Sequence, residues 1–157
     1  MLQNNRGVTE MEDEPLVVEG KLEIPFKYYA GAQASKFFIE LRDNKKILGV
    51  KCPRCDKVYF PPRTTCTWCF SRLDELVELG TRGELLSYTV VHYSEPVHPV
   101  KAPFVYGVVK LDGADTGLAH LIGEVNLDEL KIGMRVEAVF KKEREGNILD
   151  IEYFKPV

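Results

Sequence analysis

The chain has 157 residues, 45% apolar and 29% charged, with a formal net charge of -3. That length fits one large or two small domains, and the composition is that of a globular protein in water. Without a run of about eighteen apolar residues or a basic-then-apolar opening, neither a membrane span nor a secretory signal is expected. A reducing, cytoplasmic setting follows as the expectation.

Residues 1–25 carry six acids and two bases. The first fifteen mix Asn, Glu, Asp and Gly and read as disordered, and 1–25 as a whole is expected to be a flexible leader. Leu16 to Ile24 is short and partly apolar, either an arm that lies on something or a solvated tail. After Pro25 the pattern turns helical. Phe26, Ala30, Ala34, Phe37 and Leu41 recur every three or four residues, and Phe38 widens the stripe. The spacing predicts an N-terminal helix over 26–46, with Lys45 and Lys46 suiting the negative end of its dipole. Gly31 weakens the first turn.

Residues 47–79 hold all four cysteines, as Cys52-Pro53-Arg54-Cys55 and Cys66-Thr67-Trp68-Cys69. Two Cys-x-x-Cys knuckles this close make a four-thiolate tetrahedral site, and zinc suits it. The spacing alone also admits iron in a rubredoxin-like site. Disulfides are disfavoured in a reducing compartment. Ile47 to Lys51 leads into the first knuckle, Lys57 to Phe60 leaves it, and Leu73 to Leu79 closes the ribbon. Pro61-Pro62 turns the chain between the knuckles. Trp68 is expected to pack beside the metal. This region carries seven bases and four acids over 44–79, the largest basic excess in the chain.

Gly80 and Gly83 mark a boundary, and 80–157 reads as strands. Leu86, Tyr88 and Val90 alternate with Ser87, Thr89 and Val91. A proline-rich loop over 95–103 precedes a strand at Phe104 to Leu111, with Gly107 at a bend. A turn over 112–117 leads to a third strand, Leu118 to Ile122. Asn126-Leu127-Asp128-Glu129 reads as one capped helical turn. Met134, Val136, Ala138 and Phe140 share one face of a fourth strand. Leu149, Ile151 and Tyr153 share one face of a fifth. Five strands with a short helix between the third and fourth is the chain order of an OB-fold barrel. The fold class is therefore mainly β: an N-terminal helical segment, a rubredoxin-like zinc ribbon and a five-stranded OB barrel.

The ordered combination of both knuckles, Phe60-Pro61-Pro62-Arg63, Gly83 to Val91, Pro103 to Leu111, Gly133-Met134-Arg135-Val136 and Phe154-Lys155-Pro156 resembles the zinc-ribbon/OB-fold family known as domain of unknown function thirty-five. The resemblance covers about residue 26 to the end. It implies a non-catalytic scaffold subunit assembled with a thiolase-like enzyme of acyl-CoA metabolism, helping to form a CoA or acyl-CoA channel. The family's metal ligands map onto Cys52, Cys55, Cys66 and Cys69. It supplies no catalytic motif.

Three function classes are compatible with this pattern. An accessory subunit of an acyl-CoA enzyme leads. A nucleic-acid binder is the alternative, since ribbons and OB barrels bind oligonucleotides elsewhere. Tyr88, Tyr93, Phe104 and Tyr106 offer stacking rings, but 80–157 carries twelve acids against nine bases, which disfavours a polyanion. An enzyme in its own right is third, because four thiolates close the metal site and His92, His98 and His120 stand apart as loop or strand-face residues. For CoA, the phosphates call for cations and the adenine for a flat wall. Lys57 and Arg63 are the candidate cations, alongside Lys51 and Arg54. Phe37 and Phe38 are the candidate walls, with Tyr88 and Phe104 as further contacts. The binding cleft is expected to be shared with the partner.

Overall fold

The computed structural model describes residues 16–20 and 22–157. Of the expected flexible leader, 1–25, residues 1–15 and 21 lie outside the described residues. Residues 16–20 and 22–30 are exposed and form neither helix nor strand.

The helix starts later than the apolar spacing predicts. α1 spans Ala32–Asn44, and Gly31 ahead of it sits at φ 91°, ψ 155°. That conformation lies far from the helical basin, so the helix cannot extend backward through it. Phe26 and Ala30 therefore fall outside the stripe and are exposed. Inside the helix the stripe holds, with Phe37 and Leu41 buried. At its end Lys45 is left-handed, and the Lys46 amide donates to Glu40 O at 3.2 Å, satisfying a last-turn carbonyl.

Three strands follow as an antiparallel sheet in the order β2-β1-β3: β1 Ile47–Lys51, β2 Val58–Tyr59 and β3 Glu75–Leu79. The barrel closes in the order β4-β5-β6-β8-β7. Its strands are β4 Arg82–Val91, β5 Phe104–Leu111, β6 Leu118–Ile122, β7 Arg135–Phe140 and β8 Ile151–Pro156. The parallel β6–β8 pair, through Ile122 and Phe154, shuts it. A single 3-10 turn, Leu127–Glu129, sits between β6 and β7, where Asn126 caps it by accepting from the Asp128 amide.

Two inner faces differ from the simple alternation. A bulge between Leu85 and Ser87 shifts the register of β4. Leu85 becomes the buried residue, and Leu86 and Tyr88 turn outward. In β8 the buried residues are Ile151 and Phe154. Leu149 instead belongs to a 3-10 turn, Ile148–Asp150, fixed by a capping box from Asn147 and Asp150. The buried Asp150 carboxylate accepts from the amides of Glu145 at 2.9 Å and Gly146 at 2.7 Å. Local side-chain-to-backbone bonds here replace a strand's ladder.

The ribbon is fastened to the barrel. The turn after β5 reaches β2: the Asp115 amide donates to Val58 O at 2.8 Å, and the Val58 amide donates to Asp115 Oδ2 at 2.7 Å. Thr116 Oγ1 bridges the Phe60 amide and carbonyl. Phe37, Leu41, Ile47 and Phe60 share one apolar core with Leu85, Leu111 and Phe154. A smaller core of Val50, Cys52, Tyr59, Cys66 and Leu73 supports the knuckles.

Candidate metal centre

The two knuckles repeat one backbone device. The Cys52 amide donates to Lys57 O, and the Asp56 amide back to Cys52 O. In the second knuckle the Cys66 amide donates to Ser71 O, and the Phe70 amide back to Cys66 O. Asp56 and Phe70, each four residues after its first cysteine, take φ 57° and 59°. These left-handed residues fold each knuckle so that both of its sulfurs face inward.

The result is a cluster of four sulfurs, all within 4.8 Å of one another. Cys52 Sγ lies 3.4 Å from Cys69 Sγ, and Cys55 Sγ 3.6 Å from Cys66 Sγ. Zinc–sulfur bonds of ~2.3 Å place tetrahedral sulfurs about 3.8 Å apart, so the donor set fits one zinc ion. Cys52 and Cys66 are buried, and Cys55 and Cys69 partly so.

Electrostatics supports the same ion. Burial raises the Cys66 thiol, but the Tyr59 hydroxyl and the Cys69 and Trp68 amides overcome it and bring it down to about 5. The Ser71 hydroxyl and amide lower Cys69. The Lys57 amide favours the Cys55 thiolate, yet burial and the three neighbouring sulfurs push that thiol up to about 12. Four thiolates in contact repel one another, and a divalent cation at their centre removes the conflict.

Two family models match in sequence: the ChsH2 rubredoxin-like zinc ribbon domain over residues 40–75, and the ChsH2 C-terminal OB-fold domain over 76–141. A DUF35 domain-containing scaffold protein of Methanocaldococcus jannaschii is 30% identical over 125 residues, covering 74% of this chain and 86% of the relative. The chain belongs to the DUF35 family. Among solved structures, the Ltp2-ChsH2(DUF35) aldolase contains a chain similar to this DUF35 protein, with TM-score 0.58 and 26% identity, covering 82% of this chain and 98% of that one. A probable enoyl-CoA hydratase alpha subunit of Thermomonospora curvata is 30% identical over 101 residues, covering 64% of this chain and 31% of the longer relative.

Around the DUF35 metal centre the candidate CoA residues part company. Lys57 Nζ stands 5.8 Å from the Trp68 ring centre, and Arg63 Cζ stands 4.9 Å from the Tyr59 ring centre. Both cations therefore lie over aromatic rings of the ribbon. Trp68 does not pack beside the metal: its side chain is 75% exposed, and Phe70 next to the knuckle is equally open. Phe37 is removed as a ligand wall. It is 1% exposed and edge-on to Phe60 at 6.1 Å, a core residue because it faces inward from α1. Phe38 is partly buried and packs on the same core.

Two features escaped sequence reasoning. Tyr59 places its hydroxyl 3.1 Å from Cys66 Sγ, and Ser71 Oγ lies 3.3 Å from Cys69 Sγ. A hydroxyl residue beside each knuckle was the available signal. The other is a groove of about 360 Å³ on the barrel, bordered by Phe104, Tyr106, Leu121, Leu149, His98 and His120. His98 and His120 come together there because the 92–103 loop folds back, which spacing does not show. His120 is buried, with Nε2 3.4 Å from Ile148 O. The groove lies at the Val91–Phe104 end of the β4–β5 pair, whereas the ribbon joins the Gly83–Leu111 end. It and the ribbon cations are thus separate surfaces.

Proposed function

We propose that this DUF35 chain is a non-catalytic scaffold subunit of a thiolase-type acyl-CoA enzyme, and that it helps to form that enzyme's CoA or acyl-CoA site. The observation that carries the reading is the closed metal centre. All four positions of a tetrahedral ion are taken by cysteine, so the ion holds structure and has no place for an activated water. The names of the relatives support the partner class: scaffold protein, an aldolase complex, and a probable enoyl-CoA hydratase subunit.

The CoA contribution rests on the exposed ribbon surface. Lys57 and Arg63, held over Trp68 and Tyr59, offer cations for phosphates, and Trp68 offers an open ring face for adenine. Phe38, half-buried against the main core, is not placed beside these residues. Trp68 and Arg63 stand on an open surface, so the partner supplies the opposite wall of the cleft. The nucleic-acid reading gains nothing from the structure, because the barrel carries the acidic excess.

Purified chain should turn over no acyl-CoA thioester, and should co-purify in fixed stoichiometry with an enzyme that does. Thiolase or thioesterase activity that stays with the isolated chain through rigorous removal of other enzymes contradicts the reading.

A further inference from the structure

The stretch before α1 has an order of its own. From residue 16 to residue 28 the even positions are Leu16, Val18, Gly20, Leu22, Ile24, Phe26 and Tyr28, while the odd positions are Val17, Glu19, Lys21, Glu23, Pro25 and Lys27, polar or proline at all but Val17. Apolar residues at every second position are the pattern of a strand with one buried face. Yet the six apolar side chains of that face are 66% to 91% exposed, and among the described residues of the stretch no strand forms. Phe26 and Tyr28 already share a side, with ring centres 6.0 Å apart and planes 28° from parallel. α1 begins only at Ala32, so the described residues of this stretch belong to no helix or strand.

We infer that residues 16–28 form a docking strand that adds to an exposed sheet edge of a protein partner, with the Leu22–Ile24–Phe26–Tyr28 face in an apolar groove beside that edge. The partner meant is the enzyme subunit of the proposed function, and the inference rests on that reading for its identity. Area supports a stable contact. Two aromatics at roughly 150–250 Å² each, with four aliphatic residues, approach the ~800 Å² per side of a standard interface.

The backbone fixes which edge of the strand pairs. In an extended chain the amides of even residues point to one side and those of odd residues to the other. Pro25 has no amide hydrogen, so the odd edge is interrupted and the even edge carries the ladder. The strand therefore docks as a terminal strand and is blocked from recruiting another.

This protein's own fold does not supply the acceptor. Its barrel is closed. Among the described residues the three-stranded sheet ends on β2, of two residues, and on β3, of five. Both are shorter than the thirteen-residue stretch. The acceptor is a longer edge on a different protein.

The test uses the full zinc-loaded chain and the enzyme that co-purifies with it stoichiometrically from the native host, identified by mass spectrometry. Ile24→Asp with Phe26→Asp should weaken that complex by at least about tenfold, as losing a central apolar anchor does, while Glu19→Gln with Lys27→Gln changes it little. A synthetic peptide of residues 16–29 should compete with the full chain. Methylation of its Ile24 amide should abolish competition, and methylation of its Glu23 amide should preserve it. Unchanged affinity in the double Asp variant, or equal effects of the two methylations, overturns the docking strand. A wild-type dimer that the double Asp variant dissociates also overturns it, in favour of a second copy. An arm-dependent partner without acyl-CoA chemistry overturns the proposed function and leaves the strand standing. Absence of any stoichiometric partner overturns both.

Discussion

Cys66 carries more of the metal centre than the other three sulfurs. It is fully buried, and it receives the Trp68 and Cys69 amides at 3.4 Å each, with the Tyr59 hydroxyl at 3.1 Å. Cys66→Ser should therefore remove the zinc and unfold the knuckles, because structural zinc contributes on the order of 10 to 16 kcal/mol to a small ribbon. Metal analysis should find one ion per wild-type chain and less than one in the variant. Tyr59→Phe should keep the ion but hold it about ten- to a hundredfold more weakly, the usual effect of losing a partner behind a ligand. Competition with a chromophoric chelator reads this. His120 sets a pH dependence instead. Burial lowers its pKa below the ordinary 6.5, against the Ile148 carbonyl, which raises it. The unfolded chain then binds a proton near pH 6 that the folded chain refuses. Stability should fall as pH drops below 6.5, and His120→Phe should flatten that slope in urea titrations across pH 5 to 8. At this scale the four ligands were legible because cysteine pairs at fixed spacing have few other uses. The residues behind them were not, since a tyrosine or serine gains that role only from where the strand aims it.

Among the elements, the strands and their order could be read from alternation, whereas their phase could not. The β4 bulge moved the buried position to Leu85, and the Asn147–Asp150 capping box took Leu149 out of β8. The first arises from one extra backbone residue in a ladder and the second from local side-chain bonds to the backbone, and neither leaves a mark on apolar alternation. The start of α1 was misplaced for a related reason. Apolar spacing continues through Gly31, but a positive φ there stops the helix. Close backbone approach is the complementary constraint. A Cβ on Gly83 would lie 2.3 Å from Lys110 O, whereas one on Gly80 would come no nearer than 4.0 Å to anything. Gly83→Ala should force β4 from β5 and destabilise by about 1 to 3 kcal/mol or more. Gly80→Ala should melt within a degree or two of wild type, about what a tolerated surface change costs. Equal melting temperatures for the two variants would contradict the close β4–β5 contact.

Across the whole molecule, the ribbon base and the barrel share a core, while the knuckles have a smaller one of their own. Phe60 sits where they join, buried and edge-on to Phe37. Phe60→Ala should cost about 3 to 5 kcal/mol and loosen both parts together. Chelating the metal should instead free the knuckle core first, with hydrogen exchange rising over 52–73 before the barrel strands. This arrangement gives one body, joined through a shared core, that presents ribbon cations and an exposed strand-patterned stretch before α1. The central claim is that the body completes a CoA site on an acyl-CoA enzyme. Calorimetric titration of CoA into the co-purified enzyme, with and without this chain, tests it most directly. The account predicts weak binding to the isolated chain, tighter binding to the complex than to the enzyme alone, and loss of that gain in Lys57→Ala with Arg63→Ala. Equal CoA affinity with and without the chain, unaffected by those substitutions, would contradict it.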